Sequence, residues 1–434
     1  MAHPQPGKAW VVTVNMGYGH QRATFPLAHL SLNNKVITAN NYEGIPESDK
    51  LIWDQSESFY YFVSRLKDKN ALGRFIFSLF DKYQNIGEFH PGRKEVAPTL
   101  QLRKLYGLLE RGWGRHLIGK LAHNPLPILT SFFSIAYMAE YFKYPGEIYL
   151  LVTDSDISRA WAPLQPSSSR IKYLAPTERS AERLKTYGIP PQNIIYTGFP
   201  LPAELVGKNS AVAQKNMRAR IARLDPQKVF SSLYSSLIKS YLGGGNRGAA
   251  KRLHNAPSLA FVVGGAGAQV EIGIAALRGL AGQIRENKLH LYLVAGVSEN
   301  ANQKFLTEIS RLRLKKFLGK SVFVLFRYDK EEYFLEFNRL LARVDVLWTK
   351  PSELSFYAAL GLPIIIAPPV GSQEIKNRRW LLGIGSGIDQ QSPEYAGEWL
   401  TRMLADGRLA SAAMQGFIEM ERRGTENIFK LFKR

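Results

Sequence analysis

The sequence predicts an α/β fold of two Rossmann-like domains, each built on a parallel sheet, and three observations carry that expectation. The chain has 434 residues, more than one hydrophobic core usually serves, so two domains of roughly 150 to 200 residues are expected. Short apolar runs alternate with longer amphipathic stretches in two separate series, as strands alternate with helices in α/β proteins. Polar, glycine-bearing turns follow several of those runs, and ligands of open α/β sheets bind where loops leave the carboxyl ends of strands. A hydrophobic content of 45% with 21% charged residues is that of a globular chain.

The first series comprises Trp10 to Val14, Val36 to Thr38, Ile128 to Phe132, Ile148 to Val152, Ile171 to Ala175 and Ile194 to Thr197. These runs are continuous rather than alternating, which fits strands covered on both faces. The second series is Leu259 to Val263, Leu289 to Ala295, Val322 to Phe326, Asp345 to Trp348 and Pro363 to Ala367. The expected organisation is an N-terminal domain over 1–204, a basic helical linker or insertion over 205–256, a C-terminal domain over 257–409 and a terminal helix over 410–434. That last helix would dock on the N-terminal domain through Phe417, Met420, Ile428, Leu431 and Phe432.

The formal net charge of +21 calls for an anionic partner: nucleic acid, an acidic membrane leaflet or phosphorylated substrates. Between Leu205 and Ala256 ten Lys or Arg stand against one acid, Asp225, a net +9. Within that segment Asp225 is placed to cap a helix, Pro226 suits its first turn and Gly243 opens a glycine-rich stop. The pairs Val229/Phe230, Leu233/Tyr234, Leu237/Ile238 and Tyr241/Leu242 repeat every four residues, an apolar stripe expected to pack in the core. A second aromatic and basic region runs from Trp53 to Lys82; its composition suits an interfacial helix as well as a helical hairpin packed on the sheet, and packing is expected for most of its aromatics. The absence of cysteine excludes disulfides, thiolate metal sites and cysteine nucleophiles. The run Trp10 to Val14 is too short for a signal-peptide core, and Leu126 to Ala139 falls short of the roughly 20 residues a membrane span needs. A cytoplasmic protein, either soluble or peripheral on the inner face of the membrane, is expected.

Three motifs bear chemistry. The first predicted strand ends in Asn15-Met16-Gly17-Tyr18-Gly19-His20-Gln21-Arg22-Ala23. Gly17 and Gly19 let the backbone turn tightly against a ligand, and His20 has the unperturbed pKa of about 6.5 that suits a general base. A glycine-rich turn, Val262 to Gln269, holds Gly264, Gly265 and Gly267. The block from Asp345 to Asn377 joins two buried strands through polar turns, and Lys350, Ser352, Glu353, Gln373 and Asn377 are expected to converge on one phosphate-bearing ligand.

With these segments in order, the chain resembles the two-domain GT-B glycosyltransferases. It is nearest to the family of monogalactosyldiacylglycerol synthase, processive diacylglycerol glucosyltransferases and the N-acetylglucosaminyltransferase that makes peptidoglycan lipid intermediates. The matching pieces are GYGH at 17–20, VTD with a following Trp at 152–161, APTERSAERLKTYGIPPQNIIYTGFPL at 175–201, VVGGAGAQ at 262–269 and the 345–377 block ending GSQEIKN. The resemblance implies two Rossmann-like domains facing across a cleft, with the acceptor on the N-terminal and the nucleotide-sugar on the C-terminal one. It implies Gly264, Gly265, Gly267 and Gln269 near the phosphates, and Phe326, Arg327 and Tyr328 near the base. Lys350, Ser352 and Glu353 would approach ribose and phosphates, and Gln373, Glu374 and Asn377 the sugar. His20 would be the base or an acceptor contact, with Asp154 lining the acceptor side. The donor would be a nucleoside-diphosphate sugar, expected to be a UDP-sugar, with no metal or other cofactor required, and the acceptor a lipid-linked or amphipathic molecule at an anionic membrane surface. No nucleic-acid partner is expected, since the common recognition modules leave no trace in the sequence.

The chain departs from the family at particular places. The turn Lys350-Pro351-Ser352-Glu353 is shorter, Phe356 stands where the family has its ribose-binding Glu, and Thr130-Ser131-Phe132 replaces Thr-His-Pro. Ser155-Asp156-Ile157-Ser158 replaces the polar histidine beyond the TD strand. Two further readings therefore stay open: a catalytically degenerate nucleotide-sugar-binding or scaffold protein, and a nucleotide-sugar epimerase or hydrolase using Asp154, Asp156 and Glu374.

Overall fold

The computed structural model describes residues 7–55, 86–87, 97–243, 256–264 and 269–433. Gly265, Gly267, the 56–82 part of the aromatic and basic region, and the cations Arg247, Lys251 and Arg252 lie outside the described residues. The chain divides into two compact units. The first comprises Met1–Leu201, Val370–Asn377 and Arg423–Arg434; the second comprises Pro202–Pro369 and Arg378–Arg422. Among the described residues no helix is long and apolar enough to cross a membrane.

The first unit is built on a six-stranded sheet in the order β2-β1-β3-β4-β5-β6, every neighbouring pair parallel. Its strands are β1 (Trp10–Thr13), β2 (Ile37–Thr38), β3 (Ile128–Thr130), β4 (Ile148–Leu151), β5 (Lys172–Ala175) and β6 (Ile194–Tyr196). Central strands β3 and β4 are buried at every residue, whereas the outermost β2 and β6 are only partly covered. Helices Arg115–Ala122 and Phe133–Tyr141 supply Leu117, Ile118, Ile135 and Met138 to one core with Val12, Leu150 and Tyr173. The helix Glu178–Thr186 starts on a capping box: Ser180 N donates to Thr177 Oγ1 at 3.0 Å and Ser180 Oγ is shared back toward Thr177 N.

The C-terminal residues close this unit. Helix Gly424–Leu431 is held by Thr425 Oγ1 donating to the Leu201 carbonyl (2.5 Å) and Asn427 Nδ2 to that of Thr197 (3.0 Å). Phe432 packs with its ring 4.9 Å from that of Tyr149. Only glycine serves at 424, because an added Cβ would overlap the Phe199 carbonyl. The single helix expected over 410–434 is two: Arg408–Glu419 lies in the second unit and Gly424–Leu431 in the first, parted where Met420 turns extended (φ −111°, ψ 136°).

The second unit carries a six-stranded sheet in the order β12-β11-β10-β7-β8-β9, again parallel throughout. Its strands are β7 (Ser258–Val262), β8 (His290–Gly296), β9 (Val322–Phe326), β10 (Val346–Thr349), β11 (Ile364–Ile366) and β12 (Gly387–Asp389). Strand β12 is absent from the sequence reading because three half-buried residues led by glycine make no apolar run. Helix Ala211–Leu224 is clamped to the amino ends of the strands. Buried Arg220 donates to the Val344 (2.9 Å) and Leu360 (2.7 Å) carbonyls. Arg223 grips Asp345 with both Nε (2.9 Å) and Nη2 (2.7 Å), and Asp345 in turn accepts from Ser258 N and Oγ, each at 2.9 Å. Asp345 thus precedes its strand as an anchor, one residue outside β10.

The helix expected between Asp225 and Gly243 is broken. Val229–Leu233 and Ser235–Leu242 are separate helices, parted at Tyr234 (φ −117°, ψ 29°). Asp225 does cap, from farther back than a usual N-cap: its carboxylate accepts from Phe230 N (3.1 Å) and Ser231 N (2.7 Å). The apolar stripe is not core. Phe230 and Leu242 are buried, but Leu233 is 73% and Tyr234 49% exposed.

Candidate functional site

Each sheet has one point where the chain reverses its direction of travel, and in open α/β sheets the loops flanking that point form the ligand crevice. In the second unit the reversal lies between β7 and β10, since β8 and β9 extend one way and β10, β11 and β12 the other. Gly264 leaves β7 and Lys350-Pro351-Ser352-Glu353 leaves the adjacent β10, so both turns stand at the same crevice. Thr349 Oγ1 reaches the Val262 carbonyl (3.4 Å) across the two strand ends. Gln269, in the left-handed region at φ 68°, donates from Nε2 to the Pro368 carbonyl at 2.6 Å. Gln269 stands immediately before the helix Val270–Gly279, and its side-chain amide ties that helix start to the loop leaving β11.

Lys350, Ser352 and Glu353 are half-buried at this edge. Ser352 N donates to the Lys350 carbonyl (2.8 Å), tightening the turn, and Glu353 opens a 3₁₀ helix, Glu353–Leu360, whose remaining residues are buried. Phe356 is 1% exposed with its ring 5.4 Å from that of Trp380, so it faces the core and not the crevice. Glu353 is the carboxylate that this helix presents at the crevice edge. At the end of β9, Arg327 N donates to the Gly296 carbonyl (3.0 Å), and Tyr328 stands 79% exposed with Phe326 edge-on at 4.8 Å. An exposed ring braced by a second aromatic offers a flat apolar face to a planar ligand.

In the first unit the reversal lies between β1 and β3, and His20 sits on it. The residue follows β1 in the helix Gly19–Thr24, after a turn in which Gly17 adopts φ 83°. His20 Nδ1 lies 2.7 Å from the Ser131 carbonyl, which follows β3. A carbonyl only accepts, so Nδ1 carries the proton and the lone pair of the neutral ring is on Nε2. Phe132 meets the ring edge-on at 4.9 Å. Thr13 Oγ1 and Ser131 Oγ share a hydrogen bond of 3.2 Å beneath it, and Asn15 N donates to Asn40 Oδ1 at 2.9 Å.

Asp154 lies half-buried beyond β4. Its Oδ1 accepts from Asn377 Nδ2 (3.2 Å), and Asn377 Oδ1 accepts from Ser155 N (3.0 Å) and Ser155 Oγ (2.6 Å). Thr177 Oγ1 completes the chain by donating to the Ser155 carbonyl at 2.8 Å. Asn377 is fully buried, and its amide bonds both Asp154 and Ser155. Gln373 and Glu374 are half-buried, and Glu374 Oε2 accepts from Val370 N at 2.8 Å across the first turn of helix Ser372–Gly383. Asp156 is buried and paired with Arg183 (2.7 Å) and Arg179 (3.1 Å). Ser155 enters the sequence analysis only as a departure and Thr177 only within the 175–201 segment; the polar run after β4 is the available signal. Ser131, noted only as a departure, is the residue that orients His20.

The sequence matches no family model and no curated protein. Among solved structures, the glycotransferase of kitacinnamycin is similar with TM-score 0.48 and 13% identity, over 99% of this chain and 98% of that one. The UDP-GlcNAc 2-epimerase of Methanocaldococcus jannaschii, solved with UDP-GlcNAc and UDP, has TM-score 0.44 and 13% identity over 98% of this chain and 99% of its own. An Anabaena protein solved with UDP-glucose has TM-score 0.40 and 13% identity over 90% and 96%.

Proposed function

We propose that the chain moves a hexosyl group from a nucleoside-diphosphate sugar, a UDP-sugar by preference, to a lipid-linked or amphipathic acceptor at a membrane surface, with inversion and without a metal. The observation that carries this reading is the fixed tautomer of His20 at the β1/β3 reversal. With Nδ1 engaged, Nε2 is oriented to take the proton of an acceptor hydroxyl as its oxygen bonds the anomeric carbon. The bond from that carbon to the diphosphate breaks at the same time, through an oxocarbenium-like state. In the second unit the amides of the Gly264 turn and the Lys350 ammonium would take up the charge of the departing diphosphate. Ser352 and Glu353 would hold the ribose, and Tyr328 would stack the base beside Phe326 and Arg327. Asp154, held by Asn377, would orient the acceptor, and Gln373 and Glu374 would meet the sugar. The +21 charge suits a cytoplasmic protein peripheral on an anionic leaflet.

The test is release of UDP from UDP-sugars in the presence of lipid acceptors. His20→Ala is expected to lower turnover by about 10²- to 10⁴-fold, the usual contribution of a general base, while thermal shift by UDP persists. Wild-type protein that gives neither UDP-induced stabilisation nor UDP release would overturn the proposal. Burial of Phe356 where a ribose-binding carboxylate is expected favours a second reading, a nucleotide-sugar-binding protein without turnover. Stabilisation by UDP with no release from any donor would select it.

A further inference from the structure

The helix pair 229–242 has a composition that its own unit does not use. From Lys208 to Gly243 the only acid is Asp225, which is buried and occupied by the Phe230 and Ser231 amides. Of the cations there, Arg220 and Arg223 are committed to the sheet and Arg218 donates to the Leu242 carbonyl. Lys208, Lys215, Lys228 and Lys239 face solvent. The pair is anchored by buried Phe230 and Leu242, and Gln214 Nε2 donates to the Tyr241 carbonyl (3.3 Å). Outward stand Leu233 (73% exposed), Tyr234 (49%), Tyr241 (42%) and Val229 (38%). A spacing of four residues puts Val229 with Leu233 on one helix face, and the Phe230 and Tyr234 rings, 5.0 Å apart, pack across the junction of the two helices.

We infer that this pair is a docking surface for an anionic lipid bilayer. Leu233 and Val229 would enter the acyl boundary, Tyr234 and Tyr241 would sit at headgroup level with their hydroxyls wet, and Lys228 and Lys239 would meet lipid phosphates. Charge complementarity selects this occupant. A second copy docking the same patch on itself would bring like cations together, because a two-fold interface is self-complementary. The inference rests on the membrane-side acceptor proposed above and assigns that reading a surface.

Full-length protein is to be co-sedimented with phosphatidylglycerol vesicles and with phosphatidylcholine vesicles. Preferential binding to the former is expected, weakened about tenfold by Leu233→Glu, which forfeits the transfer of that side chain out of water, and about fivefold by Lys239→Gln. Because the chain has no cysteine, Leu233→Cys accepts a single environment-sensitive fluorophore, whose emission should shift to the blue on anionic vesicles. Leu233 is exposed, so these variants should melt as wild type does, and their thermal shift by UDP should be unchanged. Anionic binding undiminished in Leu233→Glu, with no blue shift, overturns this surface while leaving a membrane-side acceptor standing. No binding to phosphatidylglycerol by the wild type overturns both. Self-association lost in Leu233→Glu assigns the patch to a second copy and also overturns the inference.

Discussion

The two sheets obey one rule and differ in where the chain reverses. In the second unit the first strand, β7, has two strands on one side and three on the other, so its crevice lies deep in the sheet. In the first unit β1 has only the two-residue β2 beyond it, so its crevice lies near the sheet's edge. The fastening differs too. The second sheet is clamped at its amino edge by Arg220 and Arg223, at the opposite end of the strands from the loops of its candidate site. The first is tied at its carboxyl edge by the polar side chains that make up the candidate site: His20 to Ser131, Thr13 to Ser131, Asn377 to Asp154 and Ser155. The buried charged clamp of the second unit thus lies at the opposite sheet edge from its candidate-site residues, whereas the ties of the first unit are among them.

That contrast breaks most visibly at Asp345. Asp345→Ala leaves Arg223 and the Ser258 amide without their shared acceptor, and an orphaned partner of a buried ion pair costs about 3–5 kcal/mol. Urea denaturation should show a strong loss in the second unit, with the turnover proposed for His20, per folded molecule, unchanged. Asn377→Ala should cost less, about 1–3 kcal/mol for the Ser155 and Asp154 groups left unsatisfied. Here turnover should fall together with the melting temperature, because the same amide serves both. Turnover intact in a destabilised Asn377→Ala protein would remove the distinction between the units. Thr177→Ala, which loses a helix cap, should cost about 1 kcal/mol by urea midpoint.

The smallest expected effect is a titration. Glu308 accepts from Arg311 (2.6 Å) and Arg278 (2.7 Å), and these hydrogen bonds pull its pKa down to about 2. A carboxyl whose folded pKa is depressed contributes its stability above its unfolded pKa and loses it as pH falls through the folded one. Stability measured from pH 5 down toward pH 2 should therefore decline less steeply in Glu308→Gln than in wild type.

Much of the architecture is legible in the sequence because parallel strands covered on both faces read as unbroken apolar runs, as Ile148 to Val152 and Leu289 to Ala295 do. Edge strands lose that mark: β12 carries a glycine and no fully buried residue. The break at Tyr234 is hidden because pairs repeating every four residues look the same in one helix as in two. The turns holding His20, Gly264 and Lys350 are legible through glycines and polar residues placed after strands. The role of Asn377 is not, since its partner Ser155 lies 222 residues away and no local pattern reports a contact of that range.

One feature of the chain's path governs how the protein is made. The first unit needs Val370–Asn377 and Arg423–Arg434 besides its amino-terminal part, and Thr425 and Asn427 bond Leu201 and Thr197 across more than half the sequence. On the ribosome, the half synthesised first must therefore wait for residues 423–434 to emerge before it closes. A gene cut after Leu201 would encode neither a finished first unit nor a fair substitute for one.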